Sequence, residues 1–302
     1  MKLIIGTRGS KLALTQVGII SGLLKDEFPD LEFETRIIKT TGDKITDAPL
    51  AKIGGKGLFV KEIDEAVVRG DVDFAVHSMK DVPTEILPEL EIVATPERED
   101  VNDALISRDG LLLEELPKGA VIGTSSIRRG AQLSAYRPDL EVKDVRGNVD
   151  TRIAKVERGD YDAIIMAKAG LKRLGFEKRI TQVLPTEIFR PSVGQGAIAL
   201  IARRDFSGLG NLRAINHRES MLRVLAERAL LEVLGGGCQV PIGVTTKIDT
   251  TLQISAAVIS PDGKKKIEVT NKGEPKNAGE IGRSAGETLL KNGADIIINF
   301  KR

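Results

Sequence analysis

The fold is decided by a stretch that occurs twice, first as Gly70-Asp71-Val72-Asp73-Phe74-Ala75-Val76 and then as Gly159-Asp160-Tyr161-Asp162-Ala163-Ile164-Ile165. In each copy the glycine and the acidic residues indicate the exit of a helix and a turn, and the apolar residues that follow predict a buried strand. The two copies lie 89 residues apart. Such a repeat predicts two similar α/β lobes.

A second repeat supports the same arrangement. The apolar runs at residues 2–5 and 120–122 each end in Gly-Thr, and each leads into a helical pattern. These copies lie 117 residues apart, 28 more than the first pair, so the first lobe is expected to contain an insertion. The glycine-rich, polar stretch from Thr40 to Lys56 has no helical period and is predicted to be a long mobile loop within it.

The rest of the chain predicts a crossing between lobes and a third domain. Prolines and glycines at Pro185–Gly196 favour a hinge on which two lobes close. A helical pattern that ends at Gly235, three strand-like segments and a last helical stretch then predict a small α+β domain. The predicted fold class is therefore α/β. The predicted boundaries are 1–96 with 197–215 for the first lobe, 97–196 for the second with its hinge, and 216–302 for the C-terminal domain.

The composition excludes several classes of function. The chain has 302 residues, 41% of them apolar and 29% charged, and its net charge of +2 gives no general attraction to nucleic acid or to an anionic membrane. Two tyrosines and no tryptophan disfavour a nucleic-acid binder further. The absence of a long apolar run and of a leader pattern predicts a cytoplasmic protein. One cysteine and two histidines predict no disulfide and no metal site.

Arginines are concentrated where predicted strands end and helices begin. Arginine binds carboxylates bidentately and helix N-termini add N–H groups, at about 1.5–3 kcal/mol per charge-assisted hydrogen bond. Any single arginine can instead form a surface salt bridge worth roughly 0–1 kcal/mol, but six in equivalent positions favour a polyanionic ligand. The arginines are Arg8, Arg128, Arg129, Arg146, Arg152 and Arg173, and the hydroxyl residues at predicted helix N-termini are Ser10, Thr124, Ser125 and Ser126.

Two other residues stand where chemistry is favoured. Cys238 follows three glycines and precedes Pro241, in a loop with little side-chain bulk where a large molecule can reach the thiol. Asp81 follows the apolar strand at residues 74–76, and a carboxylate at such a strand end can stabilise a developing cation. The simpler interpretations are a buried, inert thiol and a polar loop in which Asp81 pairs with Lys80.

Eight strings of residues resemble the porphobilinogen deaminase family, also called hydroxymethylbilane synthase. They occur in the family's order over nearly the whole chain, and the departures are small, such as Gly235 where an acidic residue is expected. The strings lie at residues 6–14, 54–62, 77–83, 123–129, 146–149, 169–175, 193–197 and 236–243, and include His77-Ser78-Met79-Lys80-Asp81-Val82-Pro83, Gly123-Thr124-Ser125-Ser126-Ile127-Arg128-Arg129 and Gly236-Gly237-Cys238-Gln239-Val240-Pro241.

The resemblance implies two lobes like those of periplasmic binding proteins and a dipyrromethane cofactor joined to Cys238 by a thioether. It implies a transferase of haem biosynthesis that joins four porphobilinogens head to tail, with loss of ammonia, into hydroxymethylbilane. The expected partners are porphobilinogen and the growing polypyrrole, with no nucleic acid and no membrane, and the expected state is a monomer. Without the resemblance, the lobes and arginines would also fit a two-lobed solute-binding or anion-sensing protein that needs no cysteine chemistry.

The resemblance also assigns roles to residues. Catalysis falls to Asp81, Arg8 and Lys80, with Asp81 holding pyrrole N–H groups and stabilising the azafulvene cation that remains when ammonia leaves. Substrate contacts are implied for Arg8, Ser10, Arg173 and Gln195, and a cover over the cleft is implied for Lys52, Lys56 and Phe59. Cofactor contacts are implied for Cys238, Lys80, Asp81, Thr124, Ser125, Ser126, Arg128, Arg129, Arg146, Gly147 and Arg152.

Overall fold

The computed structural model describes residues 2–44, 57–235 and 240–299. Within them, residues 2–44, 57–99 and 196–221 form one compact unit, and residues 100–195 and 222–299 form a second. The finer division into three domains stays a prediction. Of the predicted site residues, Lys52, Lys56 and Cys238 lie outside the described residues, as does most of the predicted loop at residues 40–56.

Helices and strands alternate through most of the described chain, and the last part begins with a helix followed by three consecutive strands. Short 3-10 helices occur at Met79–Asp81, Glu177–Arg179 and Pro275–Asn277. In chain order the other elements are β1 (Lys2–Thr7), α1 (Lys11–Glu27), β2 (Glu32–Ile37), α2 (Thr41–Lys44), α3 (Lys61–Arg69), β3 (Phe74–Ser78), β4 (Leu90–Ala94), β5 (Asp103–Ser107), β6 (Val121–Gly123), α4 (Ile127–Tyr136), β7 (Glu141–Lys143), α5 (Val149–Glu157), β8 (Ala163–Ala167), α6 (Lys168–Arg173), β9 (Gln182–Val183), β10 (Ile198–Arg203), α7 (Leu209–Ala214), α8 (Arg218–Val233), β11 (Ile242–Ile248), β12 (Leu252–Ile259), β13 (Lys266–Gly273), α9 (Ala278–Lys291) and α10 (Ala294–Ile298).

The first unit and the second unit each contain a five-stranded mixed sheet with the same pattern. The orders are β2-β1-β3-β10-β4 and β7-β6-β8-β5-β9. In the first sheet β1 is parallel to β2 and β3, and β10 is antiparallel to β3 and β4. In the second, β6 is parallel to β7 and β8, and β5 is antiparallel to β8 and β9. The predicted α/β class with two similar lobes is confirmed.

The repeated Gly-Asp-x-Asp stretch has the same role in both units. The Asp73 carboxylate accepts a hydrogen bond from the Ile4 N–H at 2.6 Å, and the Asp73 N–H donates to the Ile4 carbonyl at 2.8 Å. Asp162 makes the equivalent pair of bonds with Val121, at 2.8 and 2.9 Å. The second aspartate therefore joins the turn to the neighbouring parallel strand, which explains why the motif occurs once in each lobe.

A close approach requires the repeated glycine near the ends of β1 and β6. A Cβ at Gly6 would lie 2.9 Å from Cγ2 of Val72, and a Cβ at Gly123 would lie 2.9 Å from Cδ1 of Tyr161. Val72 and Tyr161 hold the same place in the two copies of the motif. Glycine therefore allows each turn to pack directly against the neighbouring parallel strand, β1 in the first unit and β6 in the second.

The second unit also contains an antiparallel sheet, β11-β12-β13, which packs against α8 and α9. Side chains on one face of β12, such as Ile254, share a core with Leu230 of α8 and with Ala285 and Leu289 of α9. This is the predicted α+β domain, and a turn that contains Gly263 joins β12 to β13. In the described part of the chain, no helix combines the length and apolar character needed to cross a membrane.

Candidate active site

The predicted hydroxyl residues of the second unit gather at the N-terminus of α4. The Ser126 hydroxyl accepts the Arg129 N–H at 3.4 Å as the helix N-cap, and the Thr124 hydroxyl accepts the Ser126 N–H at 3.2 Å. The Ser125 hydroxyl donates to the Val145 carbonyl at 2.6 Å, next to Arg146. These bonds fix the start of α4, where N–H groups and two arginines come together, and the arrangement is suited to anions.

Arg128 and Arg129 are buried and share one carboxylate, that of Asp103. Asp103 lies at the start of β5 with no exposed surface, and it accepts hydrogen bonds from Nη1 of Arg128 at 2.8 Å and Nη2 of Arg129 at 2.7 Å. Further bonds run from Nη1 of Arg128 to the Arg190 carbonyl at 2.5 Å and from Nη1 of Arg129 to the Ile165 carbonyl at 3.1 Å. Each guanidinium group is therefore fixed by hydrogen bonds to a carboxylate and to a backbone carbonyl.

The charges in this cluster do not balance. Burial alone would raise the pKa of Asp103, but attraction and hydrogen bonds from Arg128 and Arg129 overcome that effect and hold the pKa well below its usual value. Burial lowers the pKa of Arg128, and Arg129 lowers it further by repulsion, while Asp103 opposes both effects. In the part of the chain that the structure describes, one ionised carboxylate therefore pairs with two arginines, and one positive charge remains without a counter-charge.

The same two arginines have unmet donors. The Nε atoms of Arg128 and Arg129 are buried and have no hydrogen-bond partner in the described part of the chain. A buried N–H without an acceptor costs about 1–3 kcal/mol, and more on a charged group, so such an arrangement is expected where a ligand completes it.

Arg146, Gly147 and Arg152 form a second part of the cationic cluster. Nε of Arg152 donates to the Gly147 carbonyl at 2.8 Å. Gly147 has a φ of +111°, which only glycine adopts without strain, so the loop can turn back on α5 there. Burial lowers the pKa of Arg152 to about 10, with repulsion from Arg129 and Arg146 adding to the effect. An arginine in this setting favours a negatively charged ligand.

Gln195, a predicted substrate contact, is engaged within the second unit. Its side chain is buried, its Nε2 donates to the Val101 carbonyl at 2.6 Å and to Asp103 at 2.9 Å, and its Oε1 lies 3.5 Å from Nη2 of Arg129. Its amide therefore orients the carboxylate and the guanidinium, and a direct contact with substrate stays a prediction.

In the first unit, Arg8 is held by Asp43 and Phe59. Nε and Nη2 of Arg8 donate to Oδ1 of Asp43 at 3.1 and 2.5 Å, and the guanidinium lies over the Phe59 ring, 4.3 Å from its centre. Asp43 also accepts the N–H and hydroxyl of Thr40 at 3.2 and 2.9 Å. Burial would raise the pKa of Asp43, but the hydrogen bond and charge of Arg8 lower it below its usual value. Phe59 was predicted as part of a cover, and here it contacts a predicted substrate-binding arginine.

The other predicted residues of the first unit lie at the start of a helix or within a short one. The Ser10 hydroxyl caps α1 by accepting the Ala13 N–H at 3.3 Å. Lys80 and Asp81 belong to the 3-10 helix that directly follows β3, and the Met79 N–H joins this helix to β10 through the Ala197 carbonyl at 3.0 Å. Both side chains are partly buried. In the second unit, Arg173 is the last residue of α6.

Sequence reasoning missed Asp103 and Asp43, the partners of the predicted arginines. Asp103 comes directly before the apolar residues 104–106, and an acidic residue at the head of an apolar strand was a signal that a cation would meet it inside. Asp43 was placed in the glycine-rich loop without a partner. No group of three or more potential metal ligands occurs in the described ranges of the chain.

Comparisons with known proteins agree with the motifs. Two family models match, "Porphobilinogen deaminase, dipyromethane cofactor binding domain" over residues 3–209 and "Porphobilinogen deaminase, C-terminal domain" over residues 221–291. Relatives named porphobilinogen deaminase include those of Syntrophomonas wolfei, 49% identical over 97% of both chains, and Oceanobacillus iheyensis, 48% identical over 99% of this chain and 97% of that one. The protein of Brevibacillus brevis is 46% identical over 97% of this chain and 96% of its own.

Solved structures show a weaker likeness. The methionine-binding protein MetQ has a TM-score of 0.44 and 12% identity over 71% of this chain and 89% of its own, too low to carry an argument. The sequence relatives favour the enzyme over a two-lobed binding protein without catalysis. With both family models and close relatives covering nearly its whole length, the chain belongs to the porphobilinogen deaminase family.

Proposed function

We propose that this chain joins four porphobilinogens into hydroxymethylbilane by dividing the work between two residue clusters. The arginines around α4 and α5 bind ligand carboxylates, and Asp81, Lys80 and Arg8 act on the reacting ring. The observation that carries the proposal is the shortage of negative charge beside the arginines of the second unit, where, within the described ranges, the Asp103 carboxylate is shared by Arg128 and Arg129. Each pyrrole ring of the substrate brings two carboxylates, so the ligand supplies what the site lacks.

The residues of the second unit fit the dipyrromethane cofactor of the family. Among the described residues, the Nε atoms of Arg128 and Arg129 lack acceptors. Burial and the neighbouring cations lower the pKa of Arg152, and a bound anion would oppose both effects. We assign the cofactor carboxylates to these arginines, to Arg146, and to the hydroxyl residues at the start of α4, and we assign the thioether to Cys238. When bound, the dipyrromethane supplies the pyrrole carbon at which the chain grows.

Asp81 supplies a fixed negative charge for the reacting substrate. When the aminomethyl C–N bond of porphobilinogen breaks, the electron pair leaves with nitrogen as ammonia and a positive charge spreads over the ring. A carboxylate that accepts the pyrrole N–H hydrogen bond lies close to this charge and lowers the barrier, and one such preorganised group is worth about 10²–10³ in rate. The short 3-10 helix after β3 restricts where the Asp81 side chain can lie.

Arg8 is suited to bind a substrate carboxylate because its position is fixed before substrate arrives. The ion pair with Asp43 and the contact with the Phe59 ring restrict a side chain that would otherwise lose rotamer freedom on binding. The Arg8 and Asp43 side chains keep 23% and 28% of their surface exposed, so the pair remains reachable. Ser10, at the start of α1, is assigned to the same substrate.

The mass of the purified protein tests the proposed function directly. Protein made in cells that synthesise porphobilinogen should be heavier than its sequence by one two-pyrrole unit, and it should consume porphobilinogen and release ammonia. Protein of unmodified mass that binds polycarboxylates but forms no tetrapyrrole would contradict the proposal and favour an anion-binding protein.

We also propose that the enzyme is monomeric and cytoplasmic. Both assignments rest on the sequence pattern and on the resemblance to the family. Light scattering during gel filtration tests the first, because a monomer has a mass close to the 32.6 kDa of its sequence and a dimer about twice that. Cell fractionation tests the second.

A further inference from the structure

The C-terminal sheet contacts α4, the helix that carries Arg128 and Arg129. On β12, Ile254 and its neighbours at alternate positions face the core shared with α8 and α9, whereas Ala257 and Ile259 face the other way and pack against Ala131 of α4. All three of these contact residues are almost fully buried. One strand therefore joins the core of its own domain to the helix of the arginine cluster.

The turn between β12 and β13 approaches the end of α4 more closely than any side chain would allow. A Cβ at Gly263 would lie 2.3 Å from the Ala135 nitrogen and 2.6 Å from the Ser134 carbonyl carbon, both backbone atoms of α4. Real Cβ atoms essentially never approach other atoms within 3.0 Å. A side chain at this position would have to displace either the turn or the last part of the helix.

Hydrogen bonds within the turn at residues 260–265 restrict its movement away from α4. The Gly263 N–H donates to the Ser260 carbonyl at 2.8 Å, and the Ser260 N–H donates to the Lys265 carbonyl at 2.9 Å. The Ser260 hydroxyl accepts the Lys265 N–H at 2.9 Å and donates to Asp262 at 2.5 Å. Four hydrogen bonds within six residues hold the turn, so a clash at Gly263 is transmitted to α4.

A second path joins the same sheet to Arg128. The Arg190 carbonyl accepts hydrogen bonds from Nη1 of Arg128 at 2.5 Å and from Nε2 of Gln132 at 3.2 Å. A Cβ at Gly243 of β11 would lie 2.9 Å from this carbonyl oxygen, and the Arg190 guanidinium pairs with Glu268 of β13. The carbonyl that orients Arg128 is therefore itself placed by β11 and β13.

We propose that Gly263 is a positioning residue, through which the C-terminal sheet fixes α4 so that Arg128 and Arg129 meet ligand carboxylates in the correct place. The inference rests on the proposed function, because it concerns the arginines assigned there to the cofactor. The domain that carries Cys238 thus also sets the position of the anion-binding helix. When a residue that positions a ligand is displaced by about 1 Å, activity can fall by about 10²-fold.

Gly263→Ala tests the proposal, with Gly110→Ala as its matched control. Both glycines have a φ of +74°, so both variants suffer the same backbone strain, but a Cβ at Gly110 meets no atom within 4 Å. Each full-length variant is made in cells without porphobilinogen, and the gain of a two-pyrrole mass is followed at increasing porphobilinogen concentration, well below the unfolding temperature. The half-maximal concentration should rise at least about tenfold for Gly263→Ala and stay at the wild-type value for Gly110→Ala.

Equal half-maximal porphobilinogen concentrations for the two glycine variants would overturn the proposal. A glycine with a purely structural role would change thermal stability when replaced but would leave this concentration unchanged. If wild-type protein gains no mass, the proposed function fails instead, so the two failures are distinguishable. Should Gly263→Ala not fold, Ile259→Ala loosens the same contact, and Ile254→Ala is its control on the opposite face of β12. Loading impaired equally in these two variants would also overturn the proposal.

Discussion

Replacing Asp103 with asparagine removes the carboxylate that Arg128 and Arg129 share, while side-chain volume changes little. Asp103 is fully buried and accepts three side-chain hydrogen bonds, from the two arginines at 2.8 and 2.7 Å and from Gln195 at 2.9 Å. The variant would leave two buried guanidinium groups without the carboxylate that they share. We therefore expect Asp103→Asn to be strongly destabilised and to load little cofactor.

The magnitude follows from the burial of the pair. Removing one partner of a buried ion pair costs about 3–5 kcal/mol. For a folding unit of this size, each kcal/mol lowers the melting temperature by roughly 2–4 °C, so a decrease of about 6–20 °C is expected. Asp160→Asn is the control, because Arg158 and Asp160 pair at 3.0 Å with 60% and 45% of their side chains exposed. It should cost less than about 1 kcal/mol.

The difference between wild type and Asp103→Asn should depend on pH. Because the pKa of Asp103 is lower in the folded protein than in the unfolded chain, its stabilising contribution is complete above about pH 5 and is lost as the pH falls below about 4. Urea unfolding at pH 7 and at pH 3 should show the gap between the two proteins shrinking by about 1 kcal/mol at the lower pH.

Two outcomes would refute this reasoning. If Asp103→Asn unfolded within about 1 kcal/mol of wild type at pH 7, the two arginines would not depend on this carboxylate. If the stability gap were the same at pH 7 and pH 3, folding would not lower the pKa of Asp103, and its charge would not explain the loss.

Three other predictions concern the chemistry. Cys238→Ser should fold but remain without cofactor and inactive, because a hydroxyl is a far weaker nucleophile than a thiolate; porphobilinogen consumption at the wild-type rate would contradict this. Arg128→Leu should yield protein of unmodified mass, whereas Arg8→Leu should carry the cofactor yet turn over poorly; the reverse pattern in intact mass spectra would show that cofactor and substrate arginines were assigned the wrong way round. In cofactor-bearing protein, Asp81→Asn should lower the turnover rate by about 10²–10³-fold and Asp81→Glu by less, because its charge survives; turnover of Asp81→Asn within a few-fold of wild type would make Asp81 a structural partner of its loop.

The repeated lobes could be predicted because their signals are local. Gly70 and Gly159 end helices with φ values of +76° and +84°, and the aspartates three residues later bind the neighbouring strand. A glycine, a turn and an apolar run within seven residues are enough to indicate such a unit. The candidate arginines could be predicted for the same reason, since most of them stand close to where a local element begins or ends, and the family motifs assigned their roles.

The partners of those arginines could not be predicted, because they are distant in sequence. Asp103 lies 25 and 26 residues from Arg128 and Arg129 and 92 residues from Gln195, and β5 must take its place beside β8 before these groups meet. Likewise the sequence around Gly263 indicates only a turn, although Gly263 lies against the backbone of Ser134 and Ala135. The lobes, the lone thiol and the placement of the arginines were predictable from local patterns in the chain. Which charges are neutralised inside the protein was not, because burial and ion pairing depend on long-range packing.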